Sequence, residues 1–483
     1  MKATLVLSFL LLGATGHTSM VMAQLSGTFA SAGNMTTARA GHTATLLANG
    51  KVLIAGGYQR GFPTLALASA ELYDPSTGTF IPTGAMTAPR SQHTATLLPD
   101  GRVLLAGGAG PTVSAELYDP STGTFSVTGN MIQPQVPVQK ATLLGNGKVF
   151  ITGGSLTPEL FDPTTGTFAE TGAYAGSYTS PVWVDTATLL PDGKVLITGC
   201  DCHFGGGGPV SELYDPHTGA FSVTGTMSGP ANWWWEDANT ATLLMNGKVL
   251  IVGNAENDGF PGVAEMYDQS TAVFANIGNT IAPHEFSTAT LLPDGKVLLA
   301  GGQLPGGSGS SGVDLYSPAS GTFSGAGMRT NRHYHTATLL RDGTVLIAGG
   351  FSGWPDPTAS AELYHPAELL PAPVLLWLSG DGSGQGAIQH AGTDRIASDS
   401  DPAVAGEYLS IYLAGLADGS VIPPQVSIGG RLAEITFFGA VPGYPDLDVI
   451  NVRMPEGVAA GLAVPVRLTY LSRPSNVVTI GVR

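Results

Sequence analysis

Charge is scarce in this chain. Of its 483 residues only 12% are Asp, Glu, Lys or Arg, and 36 acidic side chains outnumber 20 basic ones for a net charge of −16. Nucleic-acid affinity draws on clustered Lys and Arg that displace counterions, so neither a nucleic acid nor an anionic membrane surface is an expected partner. Cysteine is almost absent: Cys200 and Cys202 are the only two. In an exported protein such a pair is expected to be oxidised, although a bridge across one residue closes a small, strained ring. Its role would be local, and His203 beside it makes only a thin case for a soft-metal site. Long apolar runs are missing too. Ala3 to Ala14 is too short to span a bilayer, and nothing later is long enough, so no transmembrane segment is expected in the mature chain. Lys2 ahead of that run and Val21-Met22-Ala23 before Gln24 fit a signal peptide over residues 1–23, which implies a secreted or cell-surface protein. No Gly-x-Ser-x-Gly occurs either.

What the chain has in abundance is glycine, 67 residues, and a repeated unit to place it in. The segment from His93 to Gly108 alternates through Thr94-Ala95-Thr96-Leu97, turns at Pro99-Asp100-Gly101, and resumes as an aliphatic run that ends in Gly107-Gly108. That is the pattern of two short antiparallel strands, with Gly101 at a positive φ in the turn. Copies start at Thr43, Thr94, Lys140, Thr186, Thr240, Thr288 and Thr336, spaced by 51, 46, 46, 54, 48 and 48 residues. Each is followed by a block like Glu71-Leu72-Tyr73-Asp74-Pro75 and then by a segment like Thr83-Gly84-Ala85-Met86, which makes four strands per repeat. Seven copies at this period, with Gly-Gly after the second strand, resemble the kelch repeat, whose arrays form β-propellers; the resemblance spans residues 27–366.

Residues 27–35 match the fourth-strand segment at 123–131, while the last copy lacks one. The N-terminal strand is therefore expected to complete blade seven, closing the ring and hiding an edge strand. In such a ring the turns after strands one and three share one face, here called Y, where Asn-Gly, Asp-Gly and Asp-Pro-x-Thr-Gly turns are monotonous. The variable loops (58–68, 200–210, 227–239, 254–263, 303–312 and 351–359) fall on the opposite face, X, where a scaffold usually carries its binding residues.

At the hub entrance on face X, blades one, two and seven carry Arg39 with His42, Arg90 with His93, and Arg332 with His335. Blades three to six place Gln139, Asp185, Asn239 and Ser287 there instead. Two readings stand side by side. Arg and His satisfy backbone groups and a neighbouring blade's Glu71, Glu116 or Glu362, or the imidazoles of adjacent blades hold a polar ligand or a metal. A second candidate surface is aromatic: Trp233, Trp234 and Trp235 with Glu236 and Asp237 enter blade five, and Tyr174, Tyr178 and Trp183 enter blade four. Flat rings beside carboxylates suit carbohydrate, unless the rings plug the hub or pack on the next domain. The acids Asp185, Glu236, Asp237 and Glu285 flank the hub, but only their separation in space could pair them for glycoside hydrolysis.

After a linker at 367–373, aliphatic or alternating runs at 374–378, 408–413, 425–428, 433–438, 449–452, 464–470 and 476–482 fit an Ig-like β-sandwich over residues 374–483. Its 384–392 run resembles an Ig-like module of large secreted bacterial proteins. A kelch propeller followed by such a domain is similar to galactose oxidase and its relatives, which are copper-radical enzymes. The resemblance implies Tyr334 and His335 as copper ligands and catalytic residues, with His390 a candidate second histidine by location alone. The family's other tyrosine should enter an early blade, where this chain has Gly41 or Gln92, and its crosslinking cysteine should lie nearby, whereas both cysteines here are in blade four.

The expectation is thus an all-β chain, a seven-bladed kelch-type propeller over 24–366 with a C-terminal sandwich, that binds extracellular carbohydrate or a protein surface through face X. No cofactor is expected from the residues themselves. A galactose oxidase-like copper enzyme, or another carbohydrate-active enzyme, is the competing class.

Overall fold

The structure, a computed structural model, describes residues 27–59, 66–109, 113–133, 139–153, 157–176, 182–201, 208–227, 239–253, 261–304, 306–378, 383–416 and 420–483. The expected signal peptide, Cys202, Tyr178 and the run Trp233, Trp234, Trp235, Glu236 and Asp237 lie outside them.

Seven four-stranded antiparallel sheets form a propeller. Six contain consecutive strands, and the seventh is built from Thr336–Leu339, Val345–Ala348, Ser360–His365 and the N-terminal strand Thr28–Asn34. Phe29 pairs with Tyr364 in that closing ladder. The innermost strands begin at Thr43, Thr94, Lys140, Thr240, Thr288 and Thr336 as the repeats require, while that of blade four starts three residues earlier, at Trp183.

Each position in the repeat has a physical reason. Second strands such as Val52–Ala55 and Val103–Ala106 are buried along their whole length, because a strand sandwiched between neighbouring blades has no solvent face. In the turn between the first two strands, Gly101 sits at φ 92° and donates to Leu98 O at 2.9 Å, and the same geometry recurs in every blade. A ring pair joins strands three and four: Tyr73–Phe80 at 4.8 Å, Tyr118–Phe125 at 4.8 Å, Phe161–Phe168 at 4.9 Å, Tyr214–Phe221 at 4.9 Å, Tyr267–Phe274 at 4.6 Å and Tyr316–Phe323 at 5.0 Å. In blade seven the partner of Tyr364 is Phe29 from the N-terminal strand, at 5.2 Å, so closure restores a contact that the last repeat cannot make alone.

The C-terminal residues form two five-stranded antiparallel sheets around one core, in which Leu409, Ile411 and Ile450 of one sheet meet Val426, Val466 and Ile480 of the other. A strand overlaps each of the seven expected runs, only Val374–Leu375 in the first, and short strands at Ile388–His390, Arg431–Leu432 and Arg473–Pro474 join them. This sandwich docks on face Y. Ser427 Oγ donates to Pro99 O at 3.0 Å in the blade-two turn, and Val421 N donates to Met245 O at 2.8 Å in the blade-five turn. The Arg341 guanidinium of blade seven donates to Ser475 O at 2.7 Å and to Ala48 O of blade one. Face X is thereby left to the variable loops.

Candidate functional site

The hub entrance on face X is built from the residues that precede each innermost strand. Arg39 shows the local logic. Its guanidinium donates to Gly56 O at 2.6 Å, Ser69 O at 3.0 Å, Ser69 Oγ at 3.2 Å and Glu71 Oε1 at 2.8 Å. Arg90 repeats this with Gly107, Ser114 and Glu116, and Arg332 with Gly349, Ser360 and Glu362. All three cations are at most 2% exposed. Glu71 and Glu116 belong to the blades that Arg39 and Arg90 lead into, whereas Arg332 ends the last strand of blade six, Thr322–Arg332, and reaches the neighbouring blade's Glu362; each guanidinium bridges a Gly-Gly corner and a third strand. The carboxylates also accept backbone amides: Thr36 N from Glu71, Thr87 N from Glu116 and Arg329 N from Glu362 lie at 2.7, 2.7 and 2.8 Å. A buried charge with this many partners is neutralised in place, and the three arginines present no surface to a ligand.

The imidazoles stitch blade to blade. His42 Nε2 lies 3.0 Å from Thr336 Oγ1 of blade seven, His93 Nε2 3.0 Å from Thr43 Oγ1 of blade one, and His335 Nε2 3.1 Å from Thr288 Oγ1 of blade six. Burial, reinforced by Arg90 and Arg332 respectively, lowers the pKa of His93 and of His335 to about 3, and burial holds His42 well below its ordinary value, so all three are neutral at pH 7. The first glycine of the preceding blade makes room for each ring: a Cβ on Gly56 would fall 2.9 Å from His93 Cε1 and 2.3 Å from Arg90 O. The Gly-Gly signature is therefore explained by what the next blade inserts.

Blade six solves the same problem with different residues. His284 stands where the others have Arg, with Nδ1 2.9 Å from Gly301 O and Nε2 2.9 Å from Asp314 Oδ2. A shorter cation-capable group is matched by a shorter acid. The sequence reading overlooked this pair, although His284 falls in the column of Arg39, and Asp314 in that of Glu71.

Between the Arg and His columns lies a row of left-handed residues: Gly41 at φ 58°, Gln92 at 49°, Phe286 at 53° and Tyr334 at 54°. A backbone belt links them from blade six to blade two, with Tyr334 N donating to Phe286 O at 3.2 Å, Gly41 N to Tyr334 O at 2.9 Å and Gln92 N to Gly41 O at 2.8 Å. Non-glycine residues at positive φ cost energy and cluster at functional sites. Here they launch an aromatic ladder across face X. Tyr334 stacks on Phe286 at 4.4 Å, and Phe351 lies 6.4 Å from Tyr334, edge to face. Phe351 also meets Trp354 at 5.2 Å, and Trp354 is 54% exposed at the tip of the 351–357 hairpin.

The remaining expected residues are placed apart from one another. Asp185 accepts a hydrogen bond from Asn239 across the blade four–five boundary, and Trp183 packs on Cys200 at the end of its strand. Tyr174 is buried and bonded to Thr152. Cys200 is disulfide-bonded and 5% exposed. His390 lies in the C-terminal sandwich, with Nδ1 3.1 Å from Glu407 Oε1 and Nε2 3.1 Å from Asp401 O. The copper ligand set does not assemble. His335 Nε2 is engaged by Thr288, Tyr334 is stacked on Phe286, Gly41 and Gln92 offer no phenol, His390 is bonded within another domain, and no group of three His, Cys, Asp or Glu among the described residues has metal-holding geometry.

No family model and no curated protein matches the chain. Among solved structures it is similar to a novel fungal alcohol oxidase with catalytic diversity among the AA5 family, in complex with copper, at 17% identity and a TM-score of 0.59, over 95% of this chain and 99% of that one. Identity this low carries the fold and not the chemistry. The seven sheets and the sandwich after them together have the galactose oxidase-like kelch-propeller fold.

Proposed function

We propose that the chain is an exported binding protein that takes carbohydrate on face X. The observation that supports this most is the ladder Phe286, Tyr334, Phe351 and Trp354, which leads from the hub to an exposed indole on the face that the C-terminal sandwich leaves uncovered. An exposed ring can take the apolar face of a sugar, and a stacked series fixes the ring's orientation at low entropy cost. A protein surface is the other partner class that such a platform suits.

The copper enzyme is the second reading, favoured by the fold likeness alone. Its donor set is incomplete here, so no catalytic step is derived for Tyr334 and His335. Retention of the mature chain on immobilised polysaccharides, compared with Trp354→Ala, tests the first reading. The expected result is retention by the parent and its loss in the variant. Equal retention of both would refute the role given to Trp354.

A further inference from the structure

The propeller axis is a channel, and the C-terminal sandwich forms the floor of its face-Y end. The space there is about 650 Å³, within the range of small-molecule sites. Alanine, threonine and leucine of the innermost strands form its wall, and residues of the sandwich, among them Gln425, Ser427, Thr469 and Ser472, form its floor. Thr45, Thr96 and Thr290 are only half-buried although they lie on innermost strands, as expected of residues that line a hollow.

Among the described residues one charged side chain lines this space, Arg467. It stands against the blade-two turn, with its guanidinium carbon 3.9 Å from where a Cβ on Gly101 would be. Its Nε is buried without a hydrogen-bond partner. The acid that acts on it through space is Asp100, whose carboxylate accepts Arg102 Nε at 2.7 Å. Across the channel, Thr338 Oγ1 is also buried without a partner. The buried arginines on face X, by contrast, each meet a carboxylate of their own. Nε is likewise unpartnered in Arg39, Arg332, Arg341 and Arg473, but those four donate through their terminal nitrogens to Glu71, Glu362, Ala48 and Leu370 among others, whereas Arg467 faces a neutral, hydroxyl-bearing cavity with an acid, Asp100, that is already held by Arg102.

We infer that the channel floor is a binding site for a small organic monocarboxylate, its carboxylate on Arg467 and its body among the threonines and leucines of the channel. One cation balances one anion, and the wall offers both hydroxyls and methyl groups to the rest of the molecule. The site is at the opposite end of the propeller from the aromatic ladder and does not depend on what face X binds.

Calorimetric titration of the mature chain with hexanoate and gluconate, and with hexanol and glucose as uncharged counterparts, tests this. Saturable binding of at least one carboxylate and of neither uncharged compound is expected, and which carboxylate binds separates an aliphatic from a hydroxylated body. Arg467→Gln should weaken binding about tenfold or more, the scale of a charge-assisted hydrogen bond. Arg467→Lys should keep most of the affinity, and Thr338→Val, which preserves volume on the propeller side, should weaken binding by a smaller factor. Absence of carboxylate binding, equal binding by Arg467→Gln, or chloride and phosphate binding as tightly as the organic anions would each overturn the inference.

Discussion

The two halves of the hub are made differently. In the arc of blades six, seven, one and two, a buried cation-capable side chain meets a carboxylate in every blade, and left-handed residues 286, 334, 41 and 92 join the blades by backbone bonds. Blades three and four keep the carboxylate without the guanidinium. Glu159 accepts Ile132 N and Gln133 N at 2.9 Å each, and Glu212 accepts Ala175 N at 2.9 Å and Gly176 N at 2.8 Å, yet the residue in the arginine column of blade four is Val182. The difference separates two duties. Capping the amides of the incoming loop is the task common to both arcs, whereas the guanidinium is a local addition that ties the Gly-Gly corner to the third strand.

Breaking that addition should give the largest effect. Arg90→Met strands the Glu116 carboxylate and two carbonyls in a site with 2% exposure, and is expected to cost about 3–5 kcal/mol in chemical unfolding. Val182→Met in the other arc, where no ion pair is lost, should cost about 1–3 kcal/mol from overpacking alone. Equal losses would erase the distinction between the arcs.

Next in size are the glycines. Gly56→Ala, at φ 65° and against Arg90 O, is expected to destabilise by about 1–3 kcal/mol. Gly145→Ala in the blade-three turn meets nothing within 4 Å and should stay within about 0.5 kcal/mol of the parent.

The imidazole arc also predicts a pH dependence. The ordinary histidine value of 6.5 falls to about 3 for His93 and His335 in the fold, so the native state binds fewer protons than the unfolded one between these limits. Their contribution is complete above pH 6.5 and is lost progressively as pH falls toward 3. His93→Gln, which gives blade two the residue type of blade three, should shrink the stability gap between pH 7 and pH 4.5 measured in urea. An unchanged gap would show that carboxylates alone set the acid limit. A small effect on stability is expected for Trp354→Ala, about 1 kcal/mol or less because it removes one ring contact, to Phe351, from a side chain that is 54% exposed, even though polysaccharide retention should be lost.

Much of this architecture is legible in the sequence alone. Repeat spacing located the hairpins, and the match between residues 27–35 and 123–131 anticipated the closing strand. The site was less so, because a column of Arg and His reads alike whether it faces solvent or a carbonyl. Burial decides between the two, and burial depends on blade packing that no single repeat encodes. The His284–Asp314 exchange and the ladder to Trp354 were hidden for a related reason: each is a contact between columns of the repeat rather than a motif within one. Arg467 was invisible as a channel residue until the sandwich was seen to dock on face Y.

Copper content is the most direct test of the claim that the Tyr334–His335 pair is structural. The purified mature chain would be dialysed against copper, and then assayed by elemental analysis and visible absorption beside His335→Ala. The expected result is no stoichiometric copper in either protein and a loss of stability in the variant. One copper per chain, removed by His335→Ala, would contradict it and place the chemistry of the structural relative on this hub.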